Sequence, residues 1–165
     1  MRLTLLLSML TIALTSKAQV ENDAYNLMLK TMLSHSVNEI SVDELAKLKD
    51  VVLLDAREEA EYKVSHLLNA RYVGYDNFNM DSVKNIDKQA IVIVYCSVGY
   101  RSEKIAEKLK SAGFANVSNL YGGIFEWVNQ GNQLVDSDEK KTNNVHAYNK
   151  TWGIWLNKGS KVYEP

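Results

Sequence analysis

The run from Ile91 to Tyr95 consists only of β-branched and aromatic residues and gives the strongest strand signal in the chain. A continuous apolar run, without alternating polar residues, is typical of a strand covered on both faces in a parallel sheet. Val51 to Leu54 repeats this pattern. Val37 to Ile40, Ala70 to Val73 and Val117 to Leu120 are weaker strand candidates. The chain is therefore predicted to build a mainly parallel, five-stranded sheet.

Helical patterns alternate with these strands. The clearest helix is predicted from Arg101 to Ala112, with Gly113 as its end and an inner face formed by Ile105, Ala106, Leu109 and Ala112. Shorter helices are predicted over Asp23 to Leu33, Asp43 to Lys49, Glu58 to Lys63 and Gly123 to Gln130. Alternating strands and helices predict an α/β fold, with helices covering both faces of the sheet.

The first 18 residues have the layout of a secretory signal peptide. Arg2 supplies a positive charge, an apolar run extends from Leu3 to Leu14, and small residues end at Ala18. This run is shorter than the roughly 20 residues that cross a bilayer, and an uncleaved membrane anchor is the alternative. The predicted organisation is a signal peptide (1–18), an N-terminal helical segment (19–37), one domain (38–131) and a C-terminal extension (132–165). We therefore expect an exported protein, periplasmic or secreted, without membrane attachment after cleavage.

Composition excludes several partners. The net charge of -1 gives no reason to expect nucleic acid. His35, His66 and His146 are far apart in sequence and show no metal-ligand spacing, so neither a metal nor another cofactor is predicted. Cys96 is the single cysteine and has no internal disulfide partner. An unpaired thiol in an oxidising compartment is a liability unless it is buried or used.

Cys96 directly follows the strongest predicted strand and precedes the clearest helix. A tight turn from a strand to a helix leaves backbone N–H groups available to an anion, and the helix N-terminus adds positive potential. Gly99 supplies the conformational freedom of such a turn, and Arg101 adds a planar positive charge. We predict that Cys96 is an ionised nucleophile rather than a small buried hydrophobe. The predicted substrate-binding residues are Ser97, Val98, Gly99, Tyr100, Arg101 and Ser102.

The loop from Cys96 to Ser102 resembles the active-site loop of single-domain rhodaneses, which often reads Cys-x-x-Gly-x-Arg-Ser. Leu53 to Arg57, followed by Glu61-Tyr62 and Ser65-His66, resembles the upstream signature of that family. Leu120 to Trp127 resembles its closing signature. Ser65 stands where the family usually has glycine, and residues 68–70 read Leu-Asn-Ala where Pro-Gly-Ala is usual, so this turn is expected to differ.

The resemblance covers about residues 38–131 and implies a rhodanese-like fold and sulfurtransferase activity. A sulfane sulfur would pass from thiosulfate or a persulfide to a thiol or cyanide through a persulfide on Cys96. The implied partners are thus a small anionic sulfur donor and a thiophilic acceptor. Three residues are expected to support the site: Asp55 as a helix cap, Arg57 as a tie between loops or to the active-site loop, and His66 as a turn residue rather than a catalytic base.

Two other functions remain open. Cysteine phosphatases and arsenate reductases share this kind of loop, but phosphatases generally place five residues between Cys and Arg. Four residues separate Cys96 from Arg101, which favours sulfur. A non-catalytic binding module is the second alternative, although such modules often lack the cysteine. The aromatic tail, with Tyr148, Trp152, Trp155 and Tyr163, either packs onto the domain or docks a protein partner; packing is favoured.

Overall fold

A computed structural model describes residues 20–164, so the predicted signal peptide lies outside the described residues. The central sheet contains β1 (Asn38–Ile40), β2 (Val51–Asp55), β3 (Arg71–Tyr72), β4 (Ile91–Tyr95) and β5 (Asn116–Leu120). The strands are all parallel, in the order β1-β5-β4-β2-β3. The predicted five-stranded parallel sheet is confirmed, and β4 lies at its centre.

The helices are α1 (Asp23–Met32), α2 (Val42–Leu45), α3 (Glu59–Val64), α4 (Tyr100–Ser111), α5 (Gly123–Asn129) and α6 (Lys150–Gly153), with a 3₁₀ turn at Met80–Val83. Side chains of β4 alternate between two buried clusters. Val92 and Val94 pack with α4, whereas Ile93 and Tyr95 pack with α1 and α5. Helices therefore cover both faces, as predicted. None of the helices between residues 20 and 164 combines the length and apolar character needed to cross a membrane.

Two helix predictions needed correction. Ser41 and Glu44 form a capping box at the start of α2, but this helix ends at Leu45 rather than at Lys49. Beyond it, Lys47 and Leu48 donate to carbonyls three residues earlier, which tightens the chain into turns. Ala112 is exposed rather than on the inner face of α4, because the helix ends at Ser111.

The C-terminal extension is folded onto the domain. It contains two small sheets, formed by β6 (Leu134–Val135) with β7 (Lys141–Thr142), and β8 (Asn144–His146) with β9 (Ser160–Val162). The ring of Trp155 stacks on Tyr25 of α1, with centroids 5.3 Å apart. Val145 and Leu156 are fully buried. The tail therefore packs onto the domain, as the favoured interpretation predicted.

Candidate active site

Cys96 directly follows β4, at the carboxyl end of the central strand, and its residue is 1% exposed. The backbone N–H of Gly99 donates to Cys96 Sγ at 3.1 Å. Gly99 has a φ of 127°, which residues with side chains rarely adopt, and this conformation turns the chain from β4 into the first turn of α4. The first N–H groups of a helix have no partner within it. The sulfur thus lies in a short turn between a strand and a helix, as predicted.

The active-site loop, residues 96–102, is held from behind by α5. The N–H groups of Ile124 and Phe125 donate to the carbonyl oxygens of Cys96 and Ser97, at 2.9 and 3.1 Å. A Cβ atom at Gly123 would lie 2.4 Å from the Cys96 carbonyl oxygen, so only glycine fits there. The closing signature, Leu120 to Trp127, therefore holds the active-site loop in position.

Ser102 supports the loop from inside the protein. Its hydroxyl donates to Asn119 Oδ1 at 2.7 Å, and its oxygen also lies 3.1 Å from the Gly99 carbonyl oxygen. Asn119 Nδ2 also donates to the Gly99 carbonyl, at 3.0 Å. Both polar side chains are fully buried. These bonds stabilise the unusual conformation of Gly99, a role for Asn119 that the sequence pattern did not indicate.

Arg101 is held by a carboxylate on α3. Its Nη1 and Nη2 atoms donate to the two oxygens of Glu61 at 2.6 and 2.9 Å, and Nη2 also donates to Ser97 Oγ at 3.0 Å. The Ser97 hydroxyl in turn donates to Glu61 Oε1 at 3.0 Å. Burial alone would raise the pKa of Glu61, but the hydrogen bonds and charge of Arg101 lower it, so Glu61 is a carboxylate. It joins α3 to the active-site loop.

An open cavity of about 310 Å³ lies at Cys96. Five of the predicted loop residues line it, namely Cys96, Ser97, Val98, Tyr100 and Arg101, whereas Gly99 and Ser102 do not. The remaining walls come from elements distant in sequence: Met32, Glu58, Tyr75, Asp76, Tyr148 and Trp152. Sequence reasoning missed these walls, because no local pattern brings α1 and the C-terminal tail to the same loop.

The family model of the rhodanese-like domain matches residues 41–130. The chain belongs to the rhodanese-like family. A related protein from Coxiella burnetii, named thiosulfate sulfurtransferase GlpE, is 32% identical over 96 residues, which cover 58% of this chain and 89% of that protein. The structure of a rhodanese-like domain protein from Staphylococcus aureus is similar with a TM-score of 0.53 at 28% identity, covering 61% of this chain and 98% of that one.

A further relative is named for a different activity. The tRNA uridine(34) hydroxylase of Hamiltonella defensa is 33% identical over 129 residues, which cover 74% of this chain but 34% of that protein. The chain therefore corresponds to about a third of the hydroxylase, and the hydroxylase activity belongs to that longer protein. The family model and the Staphylococcus aureus structure both indicate a rhodanese-like domain. Met32 and the C-terminal tail, which form part of the cavity wall, lie outside residues 41–130.

Asp55 and Arg57 of this rhodanese-like protein form a fully buried ion pair. The Arg57 guanidinium donates to both oxygens of Asp55, with a shortest distance of 2.6 Å, and to the Ser65 carbonyl at 2.6 Å. Arg57 therefore ties together the loops on either side of α3, as one predicted role required. Asp55 is not a helix cap: Glu58 stands at the start of α3, and its N–H donates to Glu61. The oxygens of Asp55 are engaged by Arg57 instead.

His66 is a turn residue, as predicted. Its Nδ1 lies 3.1 Å from the Tyr62 carbonyl, its ring stacks on Tyr62, and its backbone exchanges two hydrogen bonds with Val135. It does not line the cavity at Cys96. Ser65 has an extended backbone (φ -172°) that any residue adopts, so the absence of glycine there causes no strain.

Proposed function

We propose that this rhodanese-like protein is a sulfurtransferase that carries a sulfane sulfur as a persulfide on Cys96. The observation that carries the proposal is the position of Cys96 Sγ, which accepts the Gly99 N–H and lines an open cavity beside Arg101. A relative named thiosulfate sulfurtransferase that is covered over 89% of its length gives independent support.

The reaction consists of two displacements at sulfur. The Cys96 thiolate attacks the outer sulfur of thiosulfate, the sulfur–sulfur bond of thiosulfate breaks, and sulfite leaves with the bonding electron pair. Cys96 then carries the outer sulfur. A thiophilic acceptor such as cyanide or a thiolate attacks that sulfur, forms thiocyanate or a new persulfide, and returns the Cys96 thiolate. No external oxidant or reductant is needed.

The loop serves the charged states of this cycle. The Gly99 N–H and the N-terminus of α4 favour negative charge on Cys96 and on its persulfide. Arg101 is permanently charged, and Glu61 and Ser97 hold its guanidinium in one orientation at the cavity. Four residues separate Cys96 from Arg101, one fewer than cysteine phosphatases generally have, and this shorter loop argues against the phosphatase alternative.

The test is the thiocyanate assay. Purified protein with thiosulfate and cyanide should form thiocyanate with parallel double-reciprocal lines, and Cys96→Ala should form none. An aryl phosphate serves as the control substrate and should not be hydrolysed. Phosphate release without thiocyanate would overturn the assignment, and intersecting lines would contradict the covalent cycle.

The N-terminal sequence supports a further part of the proposal, that the protein acts after export. Its basic start, short apolar run and small residues ending at Ala18 support cleavage there. Expressed from Met1 in a bacterial host, the protein should be recovered from the periplasmic or extracellular fraction and should begin at Gln19. An intact N-terminus in the cytoplasmic fraction would contradict export.

A further inference from the structure

We propose that the Cys96 cavity selects a sulfur donor whose outer sulfur is attached to an apolar, ring-bearing body with at most one negative charge, and that Tyr148 and Trp152 bind that body. This inference rests on the proposed sulfurtransferase function and specifies its substrate class. Both aromatic residues lie in the C-terminal extension, outside residues 41–130 that match the family.

The size and lining of the cavity are the first argument. Pockets that bind organic ligands begin at roughly 300 Å³, and the cavity at Cys96 has about 310 Å³. Its walls include the apolar or aromatic side chains of Met32, Val98, Tyr148 and Trp152. A bare oxyanion such as thiosulfate would leave most of these walls without contact. An aromatic ring would bury them.

Charge is the second argument. Among residues 20–164, those that line the cavity include one positive side chain, Arg101, and two negative ones, Glu58 and Asp76. Arg101 is also paired with Glu61, and Glu58 Oε1 lies 4.0 Å from its Nη1. The side chains around the cavity therefore carry more negative than positive charge, which disfavours a dianion. A donor with one negative charge, placed at the sulfur end near the Gly99 N–H, meets less repulsion.

The backbone of Tyr148 is the third argument. Its φ is 64°, in the left-handed region that bulky residues rarely adopt. Its N–H donates to His146 Nδ1 at 3.2 Å, and its ring faces the Arg101 guanidinium at 5.2 Å. Tyr148 is 48% exposed to solvent, so packing in the protein core does not account for its left-handed backbone. Strained residues of this kind concentrate at ligand sites.

The tail that carries both rings is firmly anchored. Trp155 stacks on Tyr25, and Asn129 donates to the Trp155 carbonyl at 2.9 Å. Asn129 Oδ1 also accepts the Asn157 N–H at 2.7 Å. Because these anchors lie three and five residues beyond Trp152, this wall is present before a ligand arrives. A preformed aromatic wall costs little ordering entropy on binding.

An aryl thiosulfonate is the probe that matches this description. It carries one negative charge, and its outer sulfur is attached to an arenesulfonyl group. The Cys96 thiolate attacks the outer sulfur, the sulfur–sulfur bond breaks, and an arenesulfinate leaves with the electron pair. The enzyme-bound product is the same Cys96 persulfide that thiosulfate gives, so both donors share the second half-reaction.

The experiment compares kcat/KM for benzenethiosulfonate and for thiosulfate, with cyanide as the common acceptor. The wild type should favour benzenethiosulfonate. Tyr148→Asn, which removes the ring but keeps a residue that tolerates the left-handed backbone, should lower the donor ratio roughly tenfold, the size expected for one lost aromatic contact. Trp152→Ala should act in the same direction. Ile154→Ala is the control, because Ile154 is 60% exposed on the same tail and does not line the cavity.

The outcomes separate this inference from the proposed function. If both donors load Cys96 but the ratio is the same in wild type and Tyr148→Asn, or if the wild type favours thiosulfate, the substrate class is wrong while the sulfurtransferase function stands. If neither donor places sulfur on Cys96, the function itself fails. Melting temperatures identify a Trp152→Ala protein that does not fold, and Tyr148→Asn then decides alone.

Discussion

Two arginine–carboxylate pairs have different surroundings: Arg57 and Asp55 precede α3, whereas Arg101 binds Glu61 within α3. In both pairs the shortest nitrogen–oxygen distance is 2.6 Å. Arg57 and Asp55 have side chains that are 0% exposed, and the third partner of Arg57 is a backbone carbonyl. Arg101 is 14% exposed, and its third partner is the hydroxyl of Ser97, next to Cys96.

The difference shows how one interaction serves two purposes. The Arg57 pair is inaccessible to water, connects the loops on either side of α3 and stabilises the fold. Open to the cavity, the Arg101 pair connects α3 to the active-site loop and presents a charge to a ligand. Motif recognition alone would have treated the two arginines alike, because both belong to sequence signatures of the family. Their exposure and third partners distinguish them.

The largest expected effect is on the sealed pair. Arg57→Met leaves the Asp55 carboxylate buried without a positive partner, so the free energy of unfolding should fall by about 3–5 kcal/mol. Urea denaturation measures this loss. Lys63→Met is the matched control, since Lys63 forms an exposed pair with Glu59 and should cost about 0.5 kcal/mol or less. Equal losses in the two variants would contradict a structural role for Arg57.

Removing the carboxylate of the open pair should cost less stability and more activity. In Glu61→Gln, Arg101 loses its charged partner but still reaches water through the cavity, so unfolding should become easier by about 2 kcal/mol. Thiocyanate formation should fall roughly tenfold, because the orientation of Arg101 and Ser97 is no longer fixed. A stability loss as large as that of Arg57→Met would erase the distinction between the pairs.

Lysine substitutions sharpen the comparison further. Arg101→Lys keeps the positive charge but loses the planar fork that binds Glu61 and Ser97 together. We expect the free energy of unfolding to fall by about 1 kcal/mol and thiocyanate formation to fall several-fold. Arg57→Lys should lose more stability, since a buried ammonium cannot replace the bonds to Asp55 and Ser65. The two variants are compared by urea denaturation. A larger loss of stability in Arg101→Lys than in Arg57→Lys would contradict the distinction between the two pairs.

The smallest effect concerns pH. Although burial opposes it, Arg101 holds the pKa of Glu61 below its ordinary value of 4.5. The unfolded chain therefore binds a proton at a higher pH than the folded one, and this contribution to stability is present above about pH 4.5 and is lost as pH falls through the lowered value. The difference in unfolding free energy between wild type and Glu61→Gln should be constant from about pH 7 to 5 and should shrink in more acid solution. A difference that grows in acid would give the wrong sign.

The strands and the thiol loop were predictable because their signals are local. The apolar run from Ile91 to Tyr95 specifies a buried strand, and Gly99 and Arg101 follow Cys96 within six residues. Asp55 was misassigned because an acidic residue before a helix looks like a cap. The Asp55 carboxylate instead forms an ion pair with Arg57, two residues away. A capping pattern does not take such a pair into account.

The cavity walls could not be predicted for a different reason. Met32 and Tyr148 are separated by most of the domain in sequence, and they line the same cavity because α1 and the tail pack on the same face as α5. Such contacts depend on tertiary packing rather than on periodicity. Glu61 was visible as part of a family signature, but its bond to Arg101 required the arrangement of α3 against the loop.

Intact-mass measurement of the purified protein after treatment with a sulfane-sulfur donor tests the central claim most directly. Wild-type protein should gain the mass of one sulfur atom and lose it again when cyanide is added, and Cys96→Ala should gain nothing. An unmodified wild type, or the same added sulfur on Cys96→Ala, would contradict the assignment of Cys96 as the carrier.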